Sequence, residues 1–240
     1  MSKITEIEIE EAAEKLEKAT AQEVVQWAAN RFGSKIALAS SFGAEDVALI
    51  DIIAKIDKNI KVFTLDTGRL HQETYNIIDA VREKYGVAVD VYFPKGDKVE
   101  ELENKNGVNS FYRSVELRTL CCQIRKGEPL KRALSGLDAW ITGLRKDQAS
   151  SRASIKKVEL DTVNGNIVKV NPLRDWTSEQ VWSYIRENQV PYNKLFDQGY
   201  TSIGCAPCTR PTKPGEDPRA GRWWWETTTK ECGLHYKFKG

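Results

Sequence analysis

The feature that most restricts the fold of this chain is an alternation. Ile36-Ala37-Leu38-Ala39 is a short apolar run that stops at Ser40-Ser41-Phe42-Gly43-Ala44-Glu45-Asp46 and resumes at helical spacing through Val47, Ile50 and Ile53. The order recurs as an apolar run over 61–65, the turn Asp66-Thr67-Gly68-Arg69 and a helical pattern over 71–85, followed by a third strand over 87–93. Strands separated by helices are joined by crossovers rather than hairpins, so they pair in parallel. A fourth strand over 138–142 ends in the polar loop 143–152, and 157–162 and 167–170 flank Asn164-Gly165, a hairpin signal. The fold class is therefore α/β, a single main domain with a mainly parallel sheet flanked by helices.

Around that centre, two helices lead in over 5–31, with Thr20-Ala21-Gln22-Glu23 in capping-box form. Residues 97–104 and 110–135 read as helical, the second stretch interrupted at Gly127-Glu128-Pro129. Thr177-Ser178-Glu179-Gln180 opens a further helix to about Asn188. After Pro191 the chain becomes irregular and rich in Gly, Pro and Thr. The expected organisation is N-terminal helices over 1–33, a main domain over 34–215, and a C-terminal segment over 216–240 ending in a mobile tail. The net charge of +2 demands neither a nucleic-acid nor a membrane partner. The acidic, helical start and the lack of any long apolar run predict a soluble cytoplasmic protein; a homo-oligomer is left open.

Four of the five cysteines form a split set, Cys121-Cys122 and Cys205-Ala206-Pro207-Cys208, and the fifth stands apart in Glu231-Cys232-Gly233-Leu234-His235. An odd number of thiols in an unexported chain argues for metal or redox use over a disulfide framework. Two pairs brought together supply the four thiolates of a zinc site or an iron-sulfur cluster. A vicinal pair is a poor chelating bite for one tetrahedral ion, whereas a cluster offers separate irons to neighbouring sulfurs, so a cluster is favoured. A thioredoxin-type dithiol at 205–208 ranks third, because that motif follows a strand and opens a helix. Small buried hydrophobes are the bland alternative. Cys232 is then a spare thiol beside a metal site, the first candidate nucleophile. His235 could lower its pKa, and His71 reads as a capping or surface residue.

The loops after Ala39, Leu65 and Thr142 all follow strand carboxyl ends, where ligands of open α/β sheets bind. The first offers backbone N–H groups and a helix start to an anion; the third gathers Arg145, Lys146 and Arg152. Arg125-Lys126 adds cationic charge near the vicinal cysteines, and Trp223-Trp224-Trp225 is expected to serve packing. Ordinary tight turns and a solvated charged loop are the competing readings of these segments taken one at a time; in register they point to an anionic nucleotide.

Seven motifs in order resemble the iron-sulfur adenylyl-sulfate (APS) reductases, a branch of the sulfonucleotide (phosphoadenylyl-sulfate) reductases. They are Ser-Phe-Gly-Ala-Glu-Asp at 41–46, Leu-Asp-Thr-Gly-Arg at 65–69, Cys-Cys-x-x-Arg-Lys at 121–126, and Gly-Leu-Arg-Lys-Asp-Gln-Ala-x-x-Arg at 143–152. Cys-x-x-Cys at 205–208, Arg-Ala-Gly-Arg-Trp-Trp-Trp-Glu at 219–226 and Glu-Cys-Gly-Leu-His at 231–235 complete the series. The resemblance implies an adenine nucleotide α-hydrolase-like fold in which Ser41, Phe42, Gly43, Leu65, Thr67, Gly68, Arg69, Gly143 and Arg152 hold the adenosine. It sets Lys126, Arg145, Arg219 and Arg222 around the phosphosulfate and a [4Fe-4S] cluster on Cys121, Cys122, Cys205 and Cys208. It implies reduction of adenylyl sulfate to sulfite and AMP through a Cys232 thiosulfonate, resolved by thioredoxin or a similar dithiol protein, in sulfate assimilation and cysteine biosynthesis. The alternatives are the 3′-phosphorylated nucleotide, PAPS, as substrate, or an ATP-splitting enzyme whose fuller Ser-Gly-Gly-x-Asp-Ser loop is here altered at Phe42, Glu45 and Asp46. An iron-sulfur or zinc binding module would explain the four cysteines but neither Cys232 nor the loops.

Overall fold

The computed structural model describes residues 4–149 and 152–227. Three helices open on the same device: α1 (Glu6–Lys15) at Thr5, α2 (Ala21–Phe32) at Thr20 and α8 (Ser178–Glu187) at Thr177. In each, the threonine hydroxyl accepts from the third helical N–H and the Glu or Gln at that position accepts from the threonine N–H. This satisfies two otherwise orphaned donors, and loss of such a cap costs about 1 kcal/mol.

The sheet has six strands in the order β3-β2-β1-β4-β6-β5: β1 (Ile36–Ala39), β2 (Lys61–Leu65), β3 (Val89–Tyr92), β4 (Ala139–Ile141), β5 (Val158–Asp161) and β6 (Ile167–Val170). β1 pairs parallel with both β2 and β4, and Leu38 stands opposite Val62 on one side and Ile141 on the other. β6 is parallel to β4, whereas β5 is antiparallel to β6, so the sheet is mixed but largely parallel. Ile36, Leu38, Ala139 and Ile141 are wholly buried, the near-continuous apolar character of parallel strands covered on both faces. α3 (Ala44–Ile56) presents Val47, Leu49, Ile50 and Ile53 to the same core, all wholly buried. α4 (Gln72–Tyr85) follows β2.

The hairpin β5–β6 differs from a two-residue Asn-Gly turn. Gly165 and Asn166 carry the positive φ values, +95° and +57°, and the Asp161 carboxylate accepts from the N–H groups of Val163 and Asn164 at 3.0 and 3.1 Å. An Asp-centred turn thus replaces the tighter connection.

The described chain forms two compact units. One comprises the described parts of Met1–Thr64, Asn76–Asp90 and Gly136–Asn193, the other those of Leu65–Tyr75, Val91–Ser135 and Lys194–Gly240. The first holds most of the sheet with α1, α2, α3 and α8. The second holds α5 (Gly96–Asn106), α6 (Val115–Cys122), α7 (Glu128–Leu134) and the irregular C-terminal segment. Its core is built on Leu102, Phe111, Leu130 and Trp223. The tryptophan triple divides its tasks: Trp223 is buried, Trp225 packs on Tyr112 at 4.5 Å between ring centres, and Trp224 is exposed. The interruption in the cysteine-bearing helix falls earlier than Gly127-Glu128-Pro129. A π turn over Gln123–Gly127 joins α6 to α7, and Pro129 sits in the first turn of α7, where no N–H is needed.

Candidate active site

In the first unit, the chain leaving β1 turns on Phe42, whose φ of +57° is accompanied by complete burial of its ring. That conformation aims Ser41 back at the first turn of α3. Asp46 Oδ2 accepts from Ser41 N at 2.7 Å and from Ser41 Oγ at 2.8 Å, while Phe42 N donates to Ser40 Oγ at 3.1 Å. Two N–H groups that the sequence offers to an anion are therefore engaged within the loop. Glu45 and Asp46 lie in the first turn of α3, where an approaching phosphate would meet carboxylates. The loop suits a neutral nucleoside better than a phosphate.

Gly143 is required at its place: a Cβ there would come within 2.5 Å of Asp46 Oδ1 and 2.9 Å of Glu45 Cβ. Arg145 then ties the third loop to the first, its Nε donating to Glu45 Oε1 at 2.8 Å, with further donations to Asp147 and to Trp176 O. Its charge is paired with two carboxylates of the loop system. Arg152 is buried and donates to Gln148 Oε1, and Thr142 Oγ1 donates to Asn171 Oδ1 at 2.6 Å beneath the loop. Ser41, Phe42, Gly43, Gly143, Arg145 and Arg152 are thus members of one loop system in the first unit.

Burial raises the Asp46 carboxyl to about 6, against the opposing pull of the Ser41 hydrogen bonds. Its folded value lies above its unfolded one, so its contribution to stability is full below about pH 4 and is lost as pH rises through about 6. At neutral pH the buried charge costs up to roughly 3 kcal/mol. Asp46→Asn keeps an acceptor for Ser41 and removes the titration. Thermal melts between pH 4 and 7.5 are expected to show a flatter stability profile for the variant, with relative stabilisation at the upper end; parallel profiles would contradict this.

In the second unit, the turn after β2 is pinned to the cysteines. Asp66 Oδ1 accepts from Gly68 N at 2.8 Å and from Tyr75 Oη at 2.9 Å, and Gly68 has φ +69°. Buried Thr67 places Oγ1 3.3 Å from Cys205 Sγ, and Ala206 N donates to Arg69 O at 2.8 Å. Arg125 donates to Thr67 O at 2.6 Å, and Arg125 and Arg69 share Glu103 Oε1 at 2.6 and 2.8 Å. The Asp-Thr-Gly-Arg turn is therefore joined directly to the thiol cluster, a link the sequence does not announce.

Ser114 caps α6, accepting from Leu117 N at 3.2 Å, and the helix delivers Cys121 and Cys122. The π turn that follows, a common device at functional sites, carries Arg125 and Lys126. Cys121, Cys122, Arg125, Lys126, Cys205 and Cys208 line one small cavity, so the split set is gathered in space. None of the four is in a disulfide, and each is partly exposed. Burial, then the neighbouring Cys205 and Cys122 sulfurs, push the Cys208 thiol up to about 12. Burial also raises Cys121, partly offset by Arg125. At Cys205 burial is outweighed by the Lys126 charge, the Thr67 hydrogen bond, Arg222 and Arg125, and the thiol is held below its ordinary range. Four thiolates at one place repel, and a multivalent cationic group relieves that repulsion. Among the described residues no three His, Cys, Asp or Glu side chains gather as one ion would need. Four thiolates from two segments are the donor set that a tetrahedral ion or an iron-sulfur cluster takes.

Arg222 is buried rather than a surface cation. Its guanidinium lies 4.9 Å from the Trp223 ring centre and donates to Ser202 Oγ and Ile203 O at 3.3 and 3.2 Å. Nε is left without a partner. Gly204 makes the room, since a Cβ there would approach the guanidinium to 2.5 Å. Arg219 N donates to Asp217 Oδ1 at 2.7 Å. Lys126, Arg219, Arg222, Leu65, Thr67, Gly68 and Arg69 all belong to the second unit. Cys232 and His235 lie outside the described residues. Sequence reasoning missed Arg118, Glu103, Asp46 and Glu226; only Arg118 carries a signal, standing one helical turn before Cys122.

Residues 35–211 match the family described as phosphoadenosine phosphosulfate reductase domain. An adenosine 5′-phosphosulfate reductase from Allochromatium vinosum is 52% identical over 201 residues, covering 83% of this chain and 78% of that protein. One of the same name from Pseudomonas aeruginosa is 50% identical over 220 residues, covering 89% and 81%. The crystal structure of a phosphoadenylyl-sulfate reductase from Candida auris superposes with a TM-score of 0.74 at 32% identity, covering 86% of this chain and 98% of that one.

Proposed function

The chain belongs to the phosphoadenosine phosphosulfate reductase family, and from that membership we propose a thiol-based mechanism for its reaction, with Cys232 as nucleophile. It is an oxidoreductase that reduces adenylyl sulfate to sulfite and AMP in assimilatory sulfate metabolism; its relatives at about half identity are named adenosine 5′-phosphosulfate reductases. The single observation that supports the mechanism best is the cavity that brings Cys121, Cys122, Cys205 and Cys208 together with Lys126 and Arg125.

In the first unit, Ser41, Phe42, Gly43, Gly143 and Arg152 contact the nucleoside, and Arg145 holds their loops together through Glu45. In the second, the turn Leu65, Thr67, Gly68 and Arg69 contributes to the nucleotide, and Lys126, Arg219 and Arg222 take the phosphosulfate. The Cys232 thiolate attacks the sulfate sulfur, the bond from that sulfur to the bridging phosphate oxygen breaks, and AMP leaves with the bonding pair. Lys126, Arg219 and Arg222 stabilise the charge gathering on the departing phosphate. Sulfonate remains on the Cys232 sulfur. A thiolate of thioredoxin or a similar dithiol protein attacks that sulfur and releases sulfite; the second thiol closes a disulfide on the partner, which supplies the two electrons.

Cys121, Cys122, Cys205 and Cys208 would hold a [4Fe-4S] cluster, which when bound would offset part of the charge of the four thiolates and tie the segment of Cys121 and Cys122 to that of Cys205 and Cys208. Among the described residues no helix is long and apolar enough to cross a membrane, and four cysteines outside any disulfide support a cytoplasmic setting. Sulfite release from adenylyl sulfate and from its 3′-phosphorylated form, measured with thioredoxin as reductant, tests the reading. Preference for adenylyl sulfate is expected; turnover of the 3′-phosphorylated nucleotide alone would overturn the substrate assignment.

A further inference from the structure

Glu226 stands six residues before Cys232 in the chain, and it is fixed by a buried ion pair. Arg118 of α6 donates Nε to Glu226 Oε1 and NH2 to Oε2, both at 2.9 Å. The two side chains are only 3% and 5% exposed. Two parallel bonds from one guanidinium to one carboxylate are the strong, directional form of a charge-assisted contact. The same guanidinium lies 4.7 Å from the Trp223 ring centre. Trp223 N donates to Cys208 O at 3.1 Å, and Glu226 N donates to Trp223 O at 2.9 Å. Trp223 carries φ +42°, a left-handed value that a bulky side chain takes only where its surroundings impose it.

These contacts share one purpose. Arg118 stands one helical turn before Cys122, so the pair joins the helix of the vicinal cysteines to the chain just before Cys232. The Trp223–Cys208 bond joins that same chain to the second cysteine pair. Buried ion pairs add little net stability compared with apolar side chains of equal volume, and their best-attested use is to specify position.

We propose that Arg118 and Glu226 are positioning residues that anchor the reactive arm at the thiol cavity and so set the effective concentration of Cys232 at the bound nucleotide. This rests on the reading of Cys232 as nucleophile. Six residues of chain span at most roughly 20 Å, so what fixes Glu226 bounds the reach of the nucleophile. Releasing the pair moves the last fixed point back to Trp223, whose N–H stays on Cys208 O, and alters none of the groups proposed to bind nucleotide.

The test is single-turnover mixing of the full chain, cluster loaded, with adenylyl sulfate and no reductant, following the S-sulfonate on Cys232 by mass spectrometry. Glu226→Gln is expected to slow adduct formation roughly tenfold, leaving AMP affinity, iron content and the alkylation rate of Cys232 by iodoacetamide unchanged. A second variant, Arg118→Lys, keeps a positive charge opposite Glu226 but not the two parallel bonds; it is expected to slow the adduct as Glu226→Gln does, and it decides the matter where Glu226→Gln does not fold. Adduct rates within twofold of the unaltered chain in the folded variants would overturn the proposal. So would slowing that is matched by lost AMP affinity or lost iron, which marks a merely structural pair. Absence of any Cys232 adduct in the unaltered chain would instead overturn the nucleophile reading, and the anchor's role with it.

Discussion

Cys232→Ser is expected to produce no measurable sulfite from adenylyl sulfate, while keeping its iron content and its affinity for AMP. A serine hydroxyl is far from ionised at neutral pH and a poor match for a sulfur electrophile, whereas a thiolate is both available and strongly nucleophilic. The substitution exchanges sulfur for oxygen at one atom, so the nucleotide contacts and the four-cysteine cavity are undisturbed. Loss of a nucleophile that forms a covalent intermediate removes the route itself, and falls in rate of 10³ or more, on the order of 4 kcal/mol, are the scale to expect. Sulfite assayed under thioredoxin, beside iron determination and AMP titration on one preparation, checks it. A serine variant that retains a tenth of the activity would place the nucleophile elsewhere.

Cys208→Ser has the second large effect, on the fold. Its backbone carbonyl receives Trp223 N, its N–H donates to Cys205 O, and its sulfur faces the other three thiols. With one thiolate fewer the set cannot complete the ligation of a four-iron cluster, and binding energy that favours only the folded state is lost with it. The variant is expected to purify without brown colour and to melt roughly 4–8 °C lower, the shift for about 2 kcal/mol in a chain of this size. Cys121→Ser is expected to behave alike. A coloured, equally stable Cys208→Ser protein would remove that residue from the ligand set.

What the sequence made legible is what local chemistry decides. Apolar runs alternating with 3.6-residue spacing mark β1, α3, β2 and α4 because each pattern is written within one segment. The Thr-x-x-Glu and Thr-x-x-Gln caps at Thr20 and Thr177 lie within four residues and fold as expected. The cysteine pairs could be associated across the chain only because thiolates share a chemistry that suggests a common ligand. The rest depends on backbone angles or distant partners. The Ser41 and Phe42 N–H groups look available to an anion until Phe42 adopts φ +57°, where Asp46 accepts from the first and Ser40 Oγ from the second. The π turn at Gln123–Gly127 has no breaker in its first four residues, so the sequence marks only its end, at Gly127, where a Cβ would meet the Gln123 side chain. Arg118 and Glu226 are 108 residues apart, and nothing in either neighbourhood declares the other. The pairing of Arg145 with Glu45 is not legible either, because the two lie 100 residues apart.

The most direct test of the mechanism is to mix the unaltered, cluster-bearing protein with adenylyl sulfate in the absence of any reductant and weigh the product. One sulfonate per chain is expected, accompanied by one AMP released, and peptide mapping is expected to place it on Cys232. Addition of thioredoxin should discharge it as sulfite. A sulfonate found on Cys205 or Cys208, or sulfite formed without any covalent adduct, would contradict the account.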